Sequence, residues 1–421
     1  MLTALTNSTI LLTSLLAIAA PEHRFEGHCM GTTWHVTITD GDPDGLQTEI
    51  EEKLNRVDQL MSTWRDDSEV SRFNAQQTTD WFEVSAETHA VVRKASDIQS
   101  QSGGAFDITV APLVDLWNFD KNVDRMSLPT DEQIAKAREH LGGFEVDEAD
   151  SYRLRKLDPR TTINLSAIAK GFAVDLVAEQ VSKHSENYLA EVGGEIRAAG
   201  LSPSGKLWTV GVEKPVDYAR ELYTPVPISN RAMATSGDYR NFYMIDGKRY
   251  SHTIDPRTGR PVEHDLASVS VLADTCMEAD AWATAISVLG PAEGARFAKV
   301  NGIDCLLLTR AASGFEATVV GNFPAPTQPD TADATEPTPV ETSKWPVFIA
   351  ALVIFLVALA GMAIGVIISN KRLKGSCGGI AGLKGPAGQT ACDLCAMPSP
   401  ECRGERAESN PLPASAESDR A

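Results

Sequence analysis

Blocks of basic residues are missing from this chain. Its 38 Lys and Arg are scattered against 57 Asp and Glu, for a formal charge of −19 at pH 7. Such an acidic chain, with no basic stripe, is unsuited to sequence-independent nucleic-acid binding, which depends on neutralising phosphates. No G-x-G-x-x-G and no Walker-type loop occurs, so neither a dinucleotide fold nor a P-loop is expected. Cysteine is sparse through the first 376 residues: Cys29, Cys276 and Cys305 stand far apart and odd in number, which argues against a disulfide framework there. No Lys or Arg precedes the short apolar run 10–20. Small residues at Ala17 and Ala19 still suit cleavage near Ala20, so 1–20 reads as a signal peptide or N-terminal anchor.

What is present divides into five stretches. Residues 25–322 mix strands and helices without a βαβ rhythm, which points to an α+β domain. Period-two alternation predicts a strand over 30–38. Leu46, Ile50, Leu54, Val57 and Met61 form one apolar stripe and predict a helix. Ser85 is a suitable N-cap for a helix over 86–100. A helix around 130–141 and a hairpin near Asp158 follow, and a helix is expected from Ile163 to about His184. A strand over 188–197 is interrupted by Gly193-Gly194. Further strands are expected at 207–213, 227–228, 268–272, 305–309 and 317–320, with helices at 279–289 and 290–300. Residues 323–344, rich in Pro, Thr and acid, cannot bury enough surface to fold and form a linker. Residues 346–368 carry no charge; at 1.5 Å per residue they reach roughly 34 Å, enough for a tilted membrane helix within 345–369. Lys371, Arg372 and Lys374 on its C-terminal flank orient 370–421 to the cytoplasm.

Chemistry concentrates in a few places. Tyr250, His252 and Ile254 alternate as in a strand, Asp246-Gly247 ahead of them is a hairpin signal, and Asp255-Pro256 with Thr258-Gly259 supplies a turn. A histidine at such a strand end is suited to proton transfer near neutral pH. Asp280 and Thr284 lie one helical turn apart, so both oxygens can face a hard cation such as Mg2+. Lys170-Gly171, with Asp175, begins a helix where a cation and free amides could hold an anion. Asp107 follows Gly103-Gly104 as a hydrogen-bonding carboxylate, and Met30 and Trp64 are flat or soft enough to sandwich a ring. Taken singly, each of these is an ordinary surface or core residue.

Taken together they resemble a known family. MGTTW (30–34), MSTWRDDSEVSRFN (61–74), GGAFDITVAPL (103–113), NLSAIAKGFAVD (164–175), EVGGEIRAAG (191–200), TSGDYRNF (235–242), YSHTIDPRTGRPV (250–262) and MEADAWATAISVLG (277–290) occur in the order of the ApbE family of FAD:protein FMN transferases. The resemblance covers essentially all of 25–322. It implies a T-fold-like α+β domain that binds FAD and Mg2+ and moves FMN from FAD onto a Thr or Ser hydroxyl of a target protein, releasing AMP. Targets of similar enzymes carry motifs of the type D-x-x-T/S-G-A-T, as in subunits of the Na+-translocating NADH:quinone reductase or its Rnf relatives. On matching positions, His252 is the implied base, Asp280 and Thr284 are Mg2+ ligands joined by a backbone carbonyl near Ala167, and Met30, Trp64, Ala105, Asp107, Lys170 and Asp175 line the FAD site. Two positions depart from the family pattern: Trp64 stands where Tyr is frequent, and Asn164 where Asp is common.

The tail resembles a second protein. SCGGIAGL (376–383) with Cys377, Cys392, Cys395 and Cys402 is similar to NqrM, a one-helix membrane protein implicated in delivering iron to the same Na+-pumping reductase. Four thiolates at C-x14-C-x2-C-x6-C can supply a tetrahedral iron or zinc site. The expected arrangement is therefore an inner-membrane protein with a periplasmic catalytic domain, a cytoplasmic Cys-rich tail, and no nucleic-acid partner. An FAD pyrophosphatase that releases FMN and AMP to water, or a non-enzymatic flavin carrier or assembly scaffold, would use many of the same residues.

Overall fold

The alternation of TTWHVTI holds in three dimensions: Trp34, Val36 and Ile38 are buried on one face of a strand and the strand residues between them are not. The structure is a computed structural model describing residues 22–117, 128–149, 151–216, 220–239, 242–245 and 248–327. The N-terminal segment 1–20, the linker beyond 327, the apolar span 345–369 and the tail with Cys377, Cys392, Cys395 and Cys402 lie outside the described residues. Asp246-Gly247 does too. Among the described residues no helix is long and apolar enough to cross a membrane.

In chain order, β1 (His23–Cys29) and β2 (Thr32–Ile38) lead to α1 (Leu46–Met61) and α2 (Glu69–Ala75). Then come β3 (Phe82–Glu83), α3 (Ala86–Gln101), α4 (Ala111–Trp117), α5 (Asp131–Arg138), β4 (Phe144–Val146) and β5 (Arg153–Lys156). Next are α6 (Ala169–Val181), β6 (Tyr188–Val192), β7 (Glu195–Ala199), β8 (Trp208–Glu213), β9 (Leu222–Ile228) and β10 (Arg231–Gly237). The domain ends with β11 (Phe242–Ile245), β12 (Lys248–Ser251), β13 (Ile254–Asp255), β14 (Arg260–Pro261), β15 (Leu266–Ala273), α7 (Cys276–Val300), β16 (Asp304–Ala311) and β17 (Gly314–Val320).

One eight-stranded sheet organises them, in the order β1-β2-β6-β7-β10-β15-β16-β17. Every neighbouring pair in it is antiparallel, which suits an α+β domain rather than a doubly wound one. Its two faces bury different partners. Ala234, Val269, Val271, Cys305 and Leu307 face α7, while Met233, Leu272, Leu306 and Leu308 pack with the β8–β9 hairpin through Trp208, Val210 and Val226. A central strand covered on both faces reads as a continuous apolar run, and β15 (LASVSVLA) is buried over seven of its eight residues. The helical layer shares one core with Trp34, Val36 and Ile38 through Ile50 and Leu54 of α1, Val91 and Val92 of α3, and Val174 and Val177 of α6.

Several local expectations shift. The 30–38 strand begins at Thr32, because Met30 (φ 52°) and Gly31 (φ 71°) form the β1–β2 turn. The hairpin expected near Asp158 turns earlier, between β4 and β5, where the Asp147 carboxylate accepts from the Ala149 amide, the Ser151 hydroxyl and Arg153. The helix expected from Ile163 starts at Ala169. Ile163 is held extended by Asn74, whose side chain accepts from its amide and donates to its carbonyl, and the Asn164 side chain turns the chain by accepting from the Ser166 amide. The two helices expected over 279–300 are the halves of α7. Gly290 (φ 80°, ψ −179°) breaks its geometry, since the residue before Pro291 is pushed out of the helical region.

Candidate functional site

Two tight turns lie side by side at one end of the sheet. The β1–β2 turn carries Met30, and the β6–β7 turn is Gly193 (φ 62°) and Gly194 (φ 103°). The Gly193 amide donates to the Thr33 carbonyl at 3.0 Å, and a Cβ on Gly193 would sit 2.9 Å from the Thr32 methyl carbon. Only glycine meets both the backbone geometry and this approach. The chain emerging from the second turn begins β7 with Glu195, a carboxylate only 3% exposed.

Glu195 accepts a short hydrogen bond from the Lys170 ammonium, one residue into α6. Beside them, on the first half of α7, Asp280 is 5% exposed and its Oδ2 accepts from the Gly171 amide at 3.0 Å. The anion at the start of α6 is thus the protein's own Asp280. One turn on, the Thr284 hydroxyl meets Ser236 of β10 at 3.2 Å. Burial raises the Asp280 carboxyl, opposed by Lys170 and the Gly171 amide. Burial likewise pushes Glu195 up to about 7, with Lys170 acting against it. Lys170 is held above the ordinary lysine range: burial lowers it, but Asp280 and Glu195 outweigh that loss.

Around this centre the loops are tied to one another. Ala105 is buried against Val288 and Leu289 of α7. Asp107 accepts from the Thr109 amide and hydroxyl at 2.7 and 2.6 Å, and burial raises its carboxyl. The next residue, Ile108, accepts from the Asn164 amide at 2.7 Å, which joins the 103–109 loop to the turn containing Ala167. Asp175 has a different position. Its two oxygens accept from the Cys276 and Met277 amides at 2.9 Å each, and Arg197 donates to it at 2.5 Å. It therefore caps the N-terminus of α7, the helix that bears Asp280 and Thr284, while also bordering a cleft of about 450 Å³ with Arg197, Tyr188 and Met277.

His252 does not continue a strand as its alternation with Tyr250 and Ile254 suggests. It sits half-buried in a bend between β12 and β13. Both flanks are fixed. Ile254 packs with Leu113, Trp117 and Ile134, and the Trp117 indole donates to the Gly259 carbonyl at 2.9 Å. On the other side Arg249 of β12 donates to the Asp238 carbonyl at 2.9 Å, and Arg310 of β16 pairs with the Asp238 carboxylate through both terminal nitrogens. Trp64 stands apart from the core, 80% exposed in the loop between α1 and α2. Glu195 and Asp238 are the buried carboxyl groups that sequence reasoning passed over. Their motifs, EVGGEIR and TSGDYR, were visible, but nothing in a sequence says that these carboxylates are buried.

The ApbE family profile matches residues 30–307. The chain belongs to the ApbE family. Among its curated ApbE relatives, the FAD:protein FMN transferase of Vibrio cholerae (strain O395) is 40% identical over 327 residues, covering 75% of this chain and 98% of that protein. The Haemophilus influenzae enzyme of the same name is 39% identical over 303 residues, with 69% and 87% covered. Of the solved ApbE structures, the flavin transferase from Vibrio cholerae is matched at a TM-score of 0.66 and 39% identity, covering 72% of this chain and 97% of that one. The apo flavinyl transferase of Pseudomonas stutzeri follows at 0.65 and 35%, with 71% and 95% covered. A second profile, (Na+)-NQR maturation NqrM, matches residues 366–410, beyond the ApbE domain.

Proposed function

We propose that this domain transfers FMN from FAD to a Thr or Ser hydroxyl of an acceptor protein and releases AMP. The observation that carries the reading is the buried group Lys170–Glu195–Asp280 with the Thr284 hydroxyl, which joins residues of three of the family motifs. In the reaction the acceptor oxygen bonds to the FMN-side phosphorus, the bridging P–O bond breaks, and the electron pair leaves on AMP. The acceptor proton goes to the imidazole of His252, which the two anchored flanks hold in place. The Lys170 ammonium, held by Glu195, would offset part of the pyrophosphate charge.

The donor set fits Mg2+. Asp280 offers a carboxylate and Thr284 a hydroxyl one helical turn on, and a carbonyl near Ala167 completes the set proposed for the protein. Among the described residues no three His, Cys, Asp or Glu side chains gather as a closed metal cage. Mg2+ ordinarily takes one or two carboxylates and completes its shell with phosphate and water oxygens. When bound, Mg2+ neutralises charge on the pyrophosphate and on departing AMP.

Met30, Trp64, Ala105 and Asp107 form the flavin side of the site in this reading, while Asp175 supports it by capping α7. The NqrM match at 366–410 supports a client in the Na+-translocating NADH:quinone reductase, with acceptor motifs of the D-x-x-T/S-G-A-T type there or in Rnf-type complexes. Cys377, Cys392, Cys395 and Cys402 would hold iron or zinc. The uncharged 346–368 span supports an inner-membrane location, with the transferase periplasmic and the tail cytoplasmic. The test is incubation with FAD, Mg2+ and a motif-bearing acceptor, scored by flavin fluorescence on a denaturing gel. Wild-type protein labels the acceptor; His252→Ala retains FAD and labels nothing. Labelling by that variant removes His252 from the mechanism, and AMP release without any acceptor replaces transfer by pyrophosphate hydrolysis.

A further inference from the structure

Two buried carboxylates compete for one ammonium at the head of α6, and the competition has one outcome in this structure. Lys170 hydrogen-bonds Glu195, not Asp280. Asp280 instead engages the Gly171 amide through a single oxygen, Oδ2. We infer that Glu195 is a positioning residue that holds the Lys170 ammonium off Asp280, so that Asp280 and Thr284 keep oxygen atoms for a divalent cation. The inference rests on the Mg2+ reading above.

The geometry makes Glu195 the fixed member and Lys170 the movable one. Glu195 is locked in the sheet by its pairing with Val192 across the Gly193-Gly194 turn, and its side chain is 4% exposed. The Lys170 side chain is 32% exposed and runs on a flexible four-carbon stem. Asp280 and Glu195 are its main attractive partners, with the Cys276 thiol weaker. Removing the charge of Glu195 leaves Asp280 as the one carboxylate, and in buried surroundings that attraction is strong. Lys170 then swings onto Asp280. An ammonium then covers the oxygen a cation needs. The second oxygen of Glu195 is itself buried with no hydrogen-bond partner, a cost that an ion pair serving stability alone would be expected to avoid.

The test uses the full-length protein and Mn2+ as a probe, with free Mn2+ followed by electron paramagnetic resonance and folding by thermal melting. Glu195→Gln is expected to weaken Mn2+ binding by about 10- to 100-fold, the range for second-layer residues of metal sites. The double variant Lys170→Met/Glu195→Gln, which removes the intruding ammonium, is expected to recover affinity close to wild type. A residue needed only for structure would give a double variant no better than the single one. Native-like melting with unchanged Mn2+ affinity in Glu195→Gln overturns the inference. So does a folded double variant that binds Mn2+ at least tenfold more weakly than wild type, an outcome that stays decisive even if the single variant fails to fold. Wild-type protein that binds no Mn2+ overturns the Mg2+ reading and this inference together.

Discussion

Gly171→Ala puts the joint between α6 and α7 under direct test. In an ordinary helix the change stabilises by about 1 kcal/mol, because alanine is the better helix former. Here an added Cβ would lie 2.3 Å from the Cys276 carbonyl oxygen, 2.7 Å from its carbon and 2.8 Å from the Met277 Cα. All three are backbone atoms at the start of α7, so no rotamer change relieves them, and the helices must part by about 1 Å to reach ordinary van der Waals contact. Overpacking of this kind costs about 1–3 kcal/mol. Separation also breaks the 3.0 Å bond from the Gly171 amide to buried Asp280, for about a further 1–3 kcal/mol. Less the helix-propensity gain, the expected loss is about 1–5 kcal/mol, or roughly 2–8 °C in Tm for a domain of this size. Thermal melting followed by circular dichroism measures it. Transfer activity should fall as well, because Asp280 moves with α7. A Tm equal to or above wild type would refute the close-packed joint and with it the account of how Asp280 is placed.

Three further outcomes are expected. Lys156 is 1% exposed and donates to the carbonyls of Asn74, Gln76 and Pro159 at 2.8, 2.8 and 3.1 Å, so Lys156→Met strands three acceptors and should cost about 2–4 kcal/mol by urea unfolding; an unchanged midpoint would show that those carbonyls find other donors. Trp64→Ala should leave stability within about 0.5 kcal/mol, since the ring is 80% exposed, yet weaken FAD binding about tenfold in a flavin-fluorescence titration; unchanged affinity removes Trp64 from the flavin site. Burial, with Asp304 adding to it, pushes the Cys305 thiol up to about 12, and burial raises Cys276 well above the ordinary range. Because each thiol holds its proton in the folded state, neither should react with iodoacetamide at pH 8 until the protein unfolds, and mass-spectrometric labelling of either in native protein would contradict that burial.

How much of this was legible before the structure differs by scale. The apolar stripe of α1, the Ser85 cap of α3, the paired Gly193-Gly194 turn and the break at Gly290-Pro291 are local signals, written within a few residues, and they appear where the sequence places them. Asp280 and Thr284 share a helix face because four residues make about one turn, which periodicity alone decides. The motif order alone was enough to connect the chain with the ApbE family. What the sequence could not contain is which distant groups share one buried space. Glu195 lies 25 positions from Lys170, and Lys170 110 positions from Asp280; only the antiparallel sheet and the α6–α7 contact bring them together. Folding also reassigned roles. Asp175 faces the first amides of α7, and His252 leaves its expected strand for a bend pinned on one side by Trp117 and on the other by Asp238. The physical reason is common to these cases: a side chain's type and spacing set what it can do, whereas the low dielectric and the partners that select among those possibilities exist only once the sheet and helices have closed around it.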